Sequence, residues 1–128
     1  GTDGETRMPR EFFVTGTDTG VGKTLVTAVL LRRLRESGVA VAGMKPVAAG
    51  SIAGPEGPAN EDALLLQAES SVRHPYADVN PWLFEPPIAP HLAAAEAGVP
   101  IDTARIVAAH ARIRAGAQVV LAEGAGGF

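Results

Sequence analysis

The chain has 128 residues, 46% of them hydrophobic, and a formal net charge of −3 at neutral pH. This length and composition favour one globular domain and argue against disorder along the whole chain. The weak negative charge predicts no broad attraction to nucleic acid or anionic membranes, and the lack of cysteine excludes disulfides, thiolate metal ligands and a cysteine nucleophile within the chain. No apolar run is long enough for a membrane span and the first ten residues do not resemble a signal peptide, so we expect a cytoplasmic protein.

The first predicted elements are a strand, a helix and a second strand. The run 11-EFFVTG-16 is β-branched and aromatic and leads through a glycine loop into a helix predicted over 23–38. The apolar residues of that helix recur at helical spacing, at Val26, Val29, Leu30 and Leu34. The second strand is expected over 39–47, ending near Pro46, and a parallel, right-handed crossover is expected to join the two strands.

The segment 48–60 is rich in glycine, proline and alanine, which indicates a mobile surface loop, and we expect it to act as a lid. A helix is predicted over 60–70, with Asn60 as its cap and two acidic residues in its first turn.

The proline-rich stretch 79–98 favours an extended, stiff connection followed by a short alanine-rich helix. A further helix is predicted over 102–116, capped by Asp102 or Thr103, and the chain closes with a buried strand and glycine-rich turn over 117–128.

This alternation predicts an α/β fold with a doubly wound, mostly parallel sheet flanked by helices. Three recognisable strands would leave sheet surface open, so we expect the chain to be incomplete. Residues 1–10 are expected to be disordered or left over from an expression vector, and residues 11–128 to be part of a single domain.

The stretch 16-GTDTGVGKT-24 is typical of a phosphate-binding loop. Gly20 and Gly22 allow backbone N–H groups to turn inward, Lys23 supplies a charge for the outer phosphates, and the hydroxyl of Thr24 can bind Mg²⁺. The strict template G-x-x-x-x-G-K-[ST] fails at its first position, where Thr17 stands. The position between a strand and a helix nevertheless favours phosphate binding over a purely structural turn.

Lys23 and Lys45 are the only lysines, and each follows a predicted strand. Because the carboxyl ends of parallel strands line the ligand crevice, we expect both ammonium groups to point into one place. Glu123 follows the last strand, and its carboxylate is suited to binding Mg²⁺. The alternative is that Glu123 only caps the glycine-rich turn. The role of Asp62 stays undecided, since the helix dipole alone explains an acidic residue in the first turn of a helix.

The histidines and aromatic residues offer weaker candidates. His91 could cap a helix or contact substrate, whereas His74 is expected in a loop and His110 on a helix surface, and their spacing is not that of metal ligands. Trp82 and Phe84 are expected to pack under a loop rather than to stack on a base.

Five segments taken together carry a family resemblance: 16-GTDTGVGKT-24, 45-KPVAAGS-51, 60-NEDALLLQ-67, 79-VNPWLFEPPIAPH-91 and 123-EGAGG-127. In this order they closely resemble the dethiobiotin synthetase family. The resemblance covers nearly all of residues 11–128, and the chain looks like roughly the first, N-terminal half of such an enzyme.

The resemblance implies a P-loop NTPase-like fold and a homodimeric ligase of biotin biosynthesis that uses ATP and Mg²⁺. The implied reaction closes the ureido ring of dethiobiotin from 7,8-diaminopelargonate and CO₂, through a carbamate and a carbamic-phosphoric anhydride, with release of ADP and phosphate. Fixed cations aimed at the developing negative charge would then carry much of the catalysis.

The resemblance also implies roles for individual residues. Lys45, near the carbamate, and Lys23, on the phosphates, match the catalytic lysines, and the implied Mg²⁺ ligands are Thr24, Asp62 and Glu123. The implied ATP-binding set is Gly20, Val21, Gly22, Lys23, Thr24, Leu25, Asp62, Glu123, Gly124, Ala125 and Gly126. The implied substrate-binding set is Thr19, Lys45 and Ala49.

Two positions depart from the family pattern. Ala49 stands where many members have serine or threonine, so a hydroxyl contact to substrate is absent or is replaced by backbone or by Ser51. Gly20 stands where some members carry an acid. We expect these changes to tune substrate affinity rather than to abolish turnover.

Two other functions remain as alternatives. A partition-type switch ATPase usually has the loop K-G-G-x-G-K-T, whose signature lysine would fall on Asp18 and whose first loop glycine on Thr19, which disfavours a switch. A cobyrinate-type amide synthetase also activates an oxygen with ATP and would be distinguished by a downstream glutaminase domain.

Overall fold

A computed structural model of the chain describes residues 10–14, 21–85 and 101–124. Its elements, in chain order, are β1 Arg10–Val14, α1 Val21–Glu36, β2 Val41–Met44, β3 Val47–Ala49, β4 Ile52–Gly54, β5 Gly57–Ala59, α2 Glu61–Glu69, α3 Tyr76–Val79, β6 Trp82–Phe84, α4 Thr103–Ala115 and β7 Val119–Glu123.

Three strands form a parallel sheet in the order β1-β7-β2. The last strand of the chain therefore lies between the first two, with Val14 of β1 beside Glu123, and Met44 of β2 beside Ala122. All three strands thus end at the same edge of the sheet. The predicted α/β class with a parallel sheet is confirmed.

The helices cover both faces of this sheet because the side chains of each strand alternate between them. On one face, Leu121 of β7 packs in a cluster with Leu31 of α1 and Leu66 of α2. On the other face, Val120 and Ala122 pack with buried residues of α4. The predicted doubly wound arrangement, with helices on both sides, is therefore present, and among the described helices none is long and apolar enough to cross a membrane.

The buried face of α1 differs from the apolar positions that stand out in the sequence. Val26, Val29 and Leu30 are exposed in the described structure. The buried positions of α1 are instead Thr24, Thr27, Ala28 and Leu31. They follow the i, i+3, i+4, i+7 spacing of one helical face, and of the four predicted apolar positions only Leu34 packs against the core, partly buried beside Leu31.

The segment 48–60, expected to be a mobile surface loop and a lid, contains regular structure and has exposed residues, while its role as a lid remains a prediction. β4 and β5 form an antiparallel hairpin in which Ile52 pairs with Ala59. A two-residue turn joins them, and Gly57 has a φ of 118°, a backbone conformation that residues with a side chain rarely adopt.

The second strand is shorter than the predicted span 39–47. β2 ends at Met44, Lys45 and Pro46 interrupt the strand, and β3 then pairs with β6 in a separate two-stranded parallel sheet. Proline cannot donate to a ladder hydrogen bond, which is why the main sheet stops here.

The connection that follows α2 was only partly predicted. The short helix α3 was missed, and the extended stretch after it contains β6, in which Trp82 and Phe84 pack edge to face at 6.1 Å between ring centroids. The alanine-rich helix expected before residue 98 lies outside the described residues.

Both predicted N-caps hold in the structure. Asn60 caps α2 by accepting from the backbone N–H of Ala63, and Asp102 caps α4 by accepting from the N–H groups of Ala104 and Arg105.

Candidate active site

The first turn of α1 places two predicted site residues at the carboxyl edge of the sheet. The ammonium group of Lys23 donates to the backbone oxygen of Gly124 at 2.8 Å. Thr24 is buried, with 2% of its surface exposed. The N–H of Gly124 donates to the oxygen of Val14 at 3.2 Å, which ties the end of β7 to the end of β1. The helix N-terminus therefore lies directly beside the ends of two strands.

Glu123, the last residue of β7, is the centre of the site. Its side chain is fully buried, and its Oε1 accepts from the hydroxyl of Thr24 at 2.8 Å and from the ammonium of Lys45 at 3.0 Å. One carboxylate oxygen thus links the first turn of α1 to the end of β2. This contact joins segments that are 99 and 78 residues apart in the chain.

Lys45 lies between two carboxylates. It is 6% exposed, and its Nζ is 3.0 Å from Oε1 of Glu123 and 3.7 Å from Oδ2 of Asp62. The side chain of Asp62 is 37% exposed, so it lies on the solvent side of the buried pair. A buried ammonium ion is tolerated only when it is paired, and here the pairing fixes its position.

The oxygens of the site fit a divalent cation. Among the residues that the structure describes, Oε2 of Glu123 is buried and has no hydrogen-bond partner. An unsatisfied buried carboxylate oxygen is costly, and a hard cation or its bound water would satisfy it. In the same described ranges no group of three or more His, Asp or Glu side chains is placed to hold a metal, so a cation here would also need hydroxyl, water or phosphate oxygens.

The structure brings the main predicted residues together: Lys23, Thr24, Lys45, Asp62, Glu123 and the backbone of Gly124. Their individual roles in binding and catalysis remain predictions. Val21 and Gly22 begin α1, as expected for the end of a phosphate loop. The side chain of Leu25 is 51% exposed, and its place in the ATP-binding set remains a prediction.

The remaining predicted residues are Ala49, which lies in β3, and five that the structure does not describe. The methyl group of Ala49 packs against the pair Val47 and Phe84. Thr19, Gly20, Ala125, Gly126 and His91 lie outside the described residues.

Sequence reasoning missed a group of polar residues behind Lys45. Asn80 is 4% exposed, and its side-chain amide donates to the backbone oxygen of Lys45 at 2.8 Å. The hydroxyl of Tyr76 donates to Oδ1 of Asn80 at 2.8 Å and accepts from the backbone N–H of Asn60 at 2.7 Å. Asn60 was recognised only as a helix cap. No local pattern marks the other two as neighbours of the site, since their bonds with Asn60 and Lys45 join elements that are distant in the chain.

Comparison with known proteins adds a family match and close relatives. A family model described as "AAA domain" matches residues 10–128. The chain is 50% identical over 121 residues to an ATP-dependent dethiobiotin synthetase of Xanthomonas oryzae pv. oryzae, covering 94% of this chain and 54% of the relative. It is also 50% identical over 123 residues to the ATP-dependent dethiobiotin synthetase of Ralstonia nicotianae, and this match covers 94% of this chain and 54% of the relative.

A third relative is the ATP-dependent dethiobiotin synthetase of Aeromonas salmonicida, 48% identical over 122 residues, again with 94% of this chain and 54% of the relative covered. The family resemblance found in the motifs is thereby confirmed. The chain spans about half the length of the curated relatives that it matches.

Proposed function

Because this chain belongs to the AAA domain family, we propose that its phosphate loop and strand-end cluster bind ATP and that the protein is a dethiobiotin synthetase. The proposed reaction converts 7,8-diaminopelargonate, CO₂ and ATP to dethiobiotin, ADP and phosphate. Its support is the site geometry together with about 50% identity to relatives of that name.

The observation that carries the proposal is the placement of Lys45. A lysine that is 6% exposed and held between Glu123 and Asp62 is a fixed cation beside the first turn of α1. A phosphate loop alone would suit any nucleotide hydrolase. A second buried lysine at the same edge suits a reaction in which negative charge also develops on a small substrate.

The proposed chemistry has three steps that balance in atoms and charge. One amine of the diamine adds to CO₂ and loses a proton, which forms a carbamate. A carbamate oxygen attacks the γ-phosphorus of ATP, the bond to the β-phosphate oxygen breaks, and ADP leaves. The second amine then attacks the carbonyl carbon of the mixed anhydride, the bond from that carbon to the phosphate oxygen breaks, and phosphate leaves as the ring closes, with the proton lost by the amine passing to the phosphate or to solvent.

Lys23 and Lys45 divide the electrostatic work in this proposal. The ammonium of Lys23 donates to the backbone oxygen of Gly124 in the structure and would instead bind the β- and γ-phosphate oxygens of ATP. The positive end of the α1 dipole would attract the same phosphates. Lys45 would hold the carbamate oxygens and stabilise the charge that develops as they attack. Because Lys45 is already fixed by its carboxylate partners, little reorganisation is needed at the moment of reaction.

Thr24, Asp62 and Glu123 would hold Mg²⁺. Oε2 of Glu123, which has no hydrogen-bond partner in the described part of the chain, and the hydroxyl of Thr24 are ligands of the kind that this ion prefers. When bound, Mg²⁺ supplies positive charge to the phosphate oxygens and helps to align them.

The decisive experiment incubates the full-length protein with ATP, Mg²⁺, bicarbonate and 7,8-diaminopelargonate and detects dethiobiotin by mass spectrometry. ADP release is measured in parallel with and without the diamine. The proposal requires dethiobiotin and a diamine-dependent release of ADP. ADP release that ignores the diamine would instead favour a switch ATPase, and the proposal would be abandoned.

The two lysines provide a matched pair of variants. Lys45→Met is expected to lower turnover by about 100-fold or more while folded protein keeps its affinity for ATP. Lys23→Met is expected to weaken ATP binding itself. Equal loss of affinity in both variants would show that the role assigned to Lys45 is wrong.

The position of Ala49 bears on affinity for the diamine. We expect Ala49→Ser to change the KM for the diamine and to leave kcat nearly unchanged, because a hydroxyl there could add one contact to substrate. A KM equal to that of the unmodified protein would remove Ala49 from the substrate site.

A further inference from the structure

Lys45 is held on its backbone side by the segment that contains α3. Its N–H donates to the oxygen of Val79 at 2.8 Å, and its oxygen accepts from the side-chain amide of Asn80 at 2.8 Å. This is the point at which β2 has ended and Pro46 prevents the strand from continuing. The backbone of Lys45 therefore takes its position from α3 and Asn80 rather than from the sheet.

The amide of Asn80 is itself oriented by Tyr76. The hydroxyl of Tyr76 donates to Oδ1 of Asn80 at 2.8 Å, which leaves the Nδ2 group directed at the oxygens of Lys45 and Trp82. Burial raises the pKa of Tyr76, so the phenol stays protonated and able to donate at neutral pH. The assignment of the amide atoms is unambiguous because only one orientation satisfies all three bonds.

The same hydroxyl reaches the helix that carries Asp62. It accepts from the backbone N–H of Asn60 at 2.7 Å, and Asn60 caps α2 through the N–H of Ala63 at 3.1 Å. Asp62 lies in this first turn, 3.7 Å from the ammonium of Lys45. A chain of hydrogen bonds thus runs from the backbone of Lys45 to the base of Asp62, and the ion pair closes it into a ring.

We infer that Tyr76 and Asn80 are positioning residues that set the distance between Lys45 and Asp62 in the site. The inference rests on the proposed function for its catalytic consequence. The hydroxyl of Tyr76 joins the two asparagines of the ring, since it donates to Asn80 and accepts from the backbone N–H of Asn60. Without it, the hydrogen-bonded link between Asn80 and Asn60 is broken, so the backbone of Lys45 and the first turn of α2 are no longer tied to each other through these side chains.

The test uses Tyr76→Phe and Asn80→Leu in the full-length protein. Each is expected to lower kcat for dethiobiotin formation by about 10- to 100-fold, because displacement of a catalytic group by about 1 Å has effects of that order. The Kd for ATP measured without Mg²⁺ is expected to change little, since Lys23 and Thr24 do not belong to the ring, whereas Asp62, which does, is proposed to contact the nucleotide through Mg²⁺. The double variant should fall no further than the worse single variant, because both changes break the same chain of bonds.

Gln67→Met is the matched control for a merely structural effect. Gln67 also lies on α2 and is buried, but its side chain donates at 2.8 Å to the oxygen of His74, away from Lys45. The Gln67→Met variant should lower the melting temperature, as is expected of Tyr76→Phe, but it should leave kcat unchanged. Equal losses of kcat in Gln67→Met and Tyr76→Phe, or additive losses in the double variant, would overturn the inference.

A chemical measurement keeps the inference testable apart from the proposed reaction. Brief acetylation followed by mass spectrometry gives the labelling of Lys45 relative to Lys23 in one sample. Tyr76→Phe should raise this ratio by at least about twofold, because local opening exposes the buried lysine, and Gln67→Met should not. An unchanged ratio refutes the positioning role, whereas a raised ratio without any dethiobiotin refutes only the proposed function.

Discussion

Replacement of Lys45 by methionine tests how much the buried ion pair between Lys45 and Glu123 contributes to the stability of the fold. The side chain keeps its length but loses the ammonium group that pairs with Glu123 at 3.0 Å and Asp62 at 3.7 Å. Glu123 is fully buried and would keep only the hydroxyl of Thr24 as a donor among its present partners. The variant therefore leaves an uncompensated buried carboxylate, with a second carboxylate nearby.

The expected cost follows from this geometry. Two unit charges 3.0 Å apart attract each other by about 5.5 kcal/mol at an effective dielectric constant of 20. Removal of one partner of a buried pair typically costs about 3–5 kcal/mol, since the remaining charge stays desolvated. For a urea m-value of about 2 kcal/mol/M, the unfolding midpoint would fall by about 1.5–2.5 M.

Urea unfolding of the ligand-free protein, followed by circular dichroism, measures this shift. Lys23→Met is the control, because the ammonium of Lys23 donates to the backbone oxygen of Gly124 and its loss should cost about 1 kcal/mol. The double variant Lys45→Met/Glu123→Gln should recover most of the loss, since no buried carboxylate remains at position 123. If Lys45→Met shifts the midpoint no more than Lys23→Met, or if the double variant recovers nothing, the ion pair does not govern stability here.

Three further predictions concern the scaffold. Gly43→Ala would place a methyl group within 3.0 Å of side chains on α1 and α2, so thermal unfolding should show a loss of about 1–3 kcal/mol. Asp102→Ala removes the cap of α4 and should lower the free energy of unfolding by about 1 kcal/mol, whereas Asp102→Asn should keep the cap and most of the stability. The hydrogen bond from Arg32 lowers the pKa of Glu69, so the penalty of Glu69→Gln should be full above the ordinary glutamate pKa of about 4.3 and should disappear only as the pH falls through the lower pKa that Glu69 has in the folded protein. A penalty that persists in acid would contradict that last assignment.

Much of the candidate site could be predicted from the sequence because its chemistry is tied to local features. A glycine loop between a strand and a helix places Lys23 and Thr24 by local geometry alone. Lys45 and Glu123 each follow a strand, and parallel strands end at one edge, so their meeting could be expected without knowledge of the strand order. The structure adds that one oxygen of Glu123 joins Thr24 and Lys45.

Other features depend on which surfaces meet in the folded protein. The apolar residues of α1 occur on more than one side of the helix, so periodicity could not show that Leu31 and Ala28 face the sheet while Val26 and Val29 do not. The central place of β7 likewise comes from strand pairing, which the order of elements along the chain does not specify.

By itself the sequence determined the α/β class, the phosphate loop, the helix caps and the set of charged residues at the strand ends, because each depends on neighbouring residues or on a general rule for parallel sheets. Only the tertiary structure decided how Lys45 is held. Tyr76 and Asn80 lie one turn apart at α3, but the bonds from Asn60 to Tyr76 and from Asn80 to Lys45, each shorter than 3 Å, form only once α2, α3 and the end of β2 have packed together.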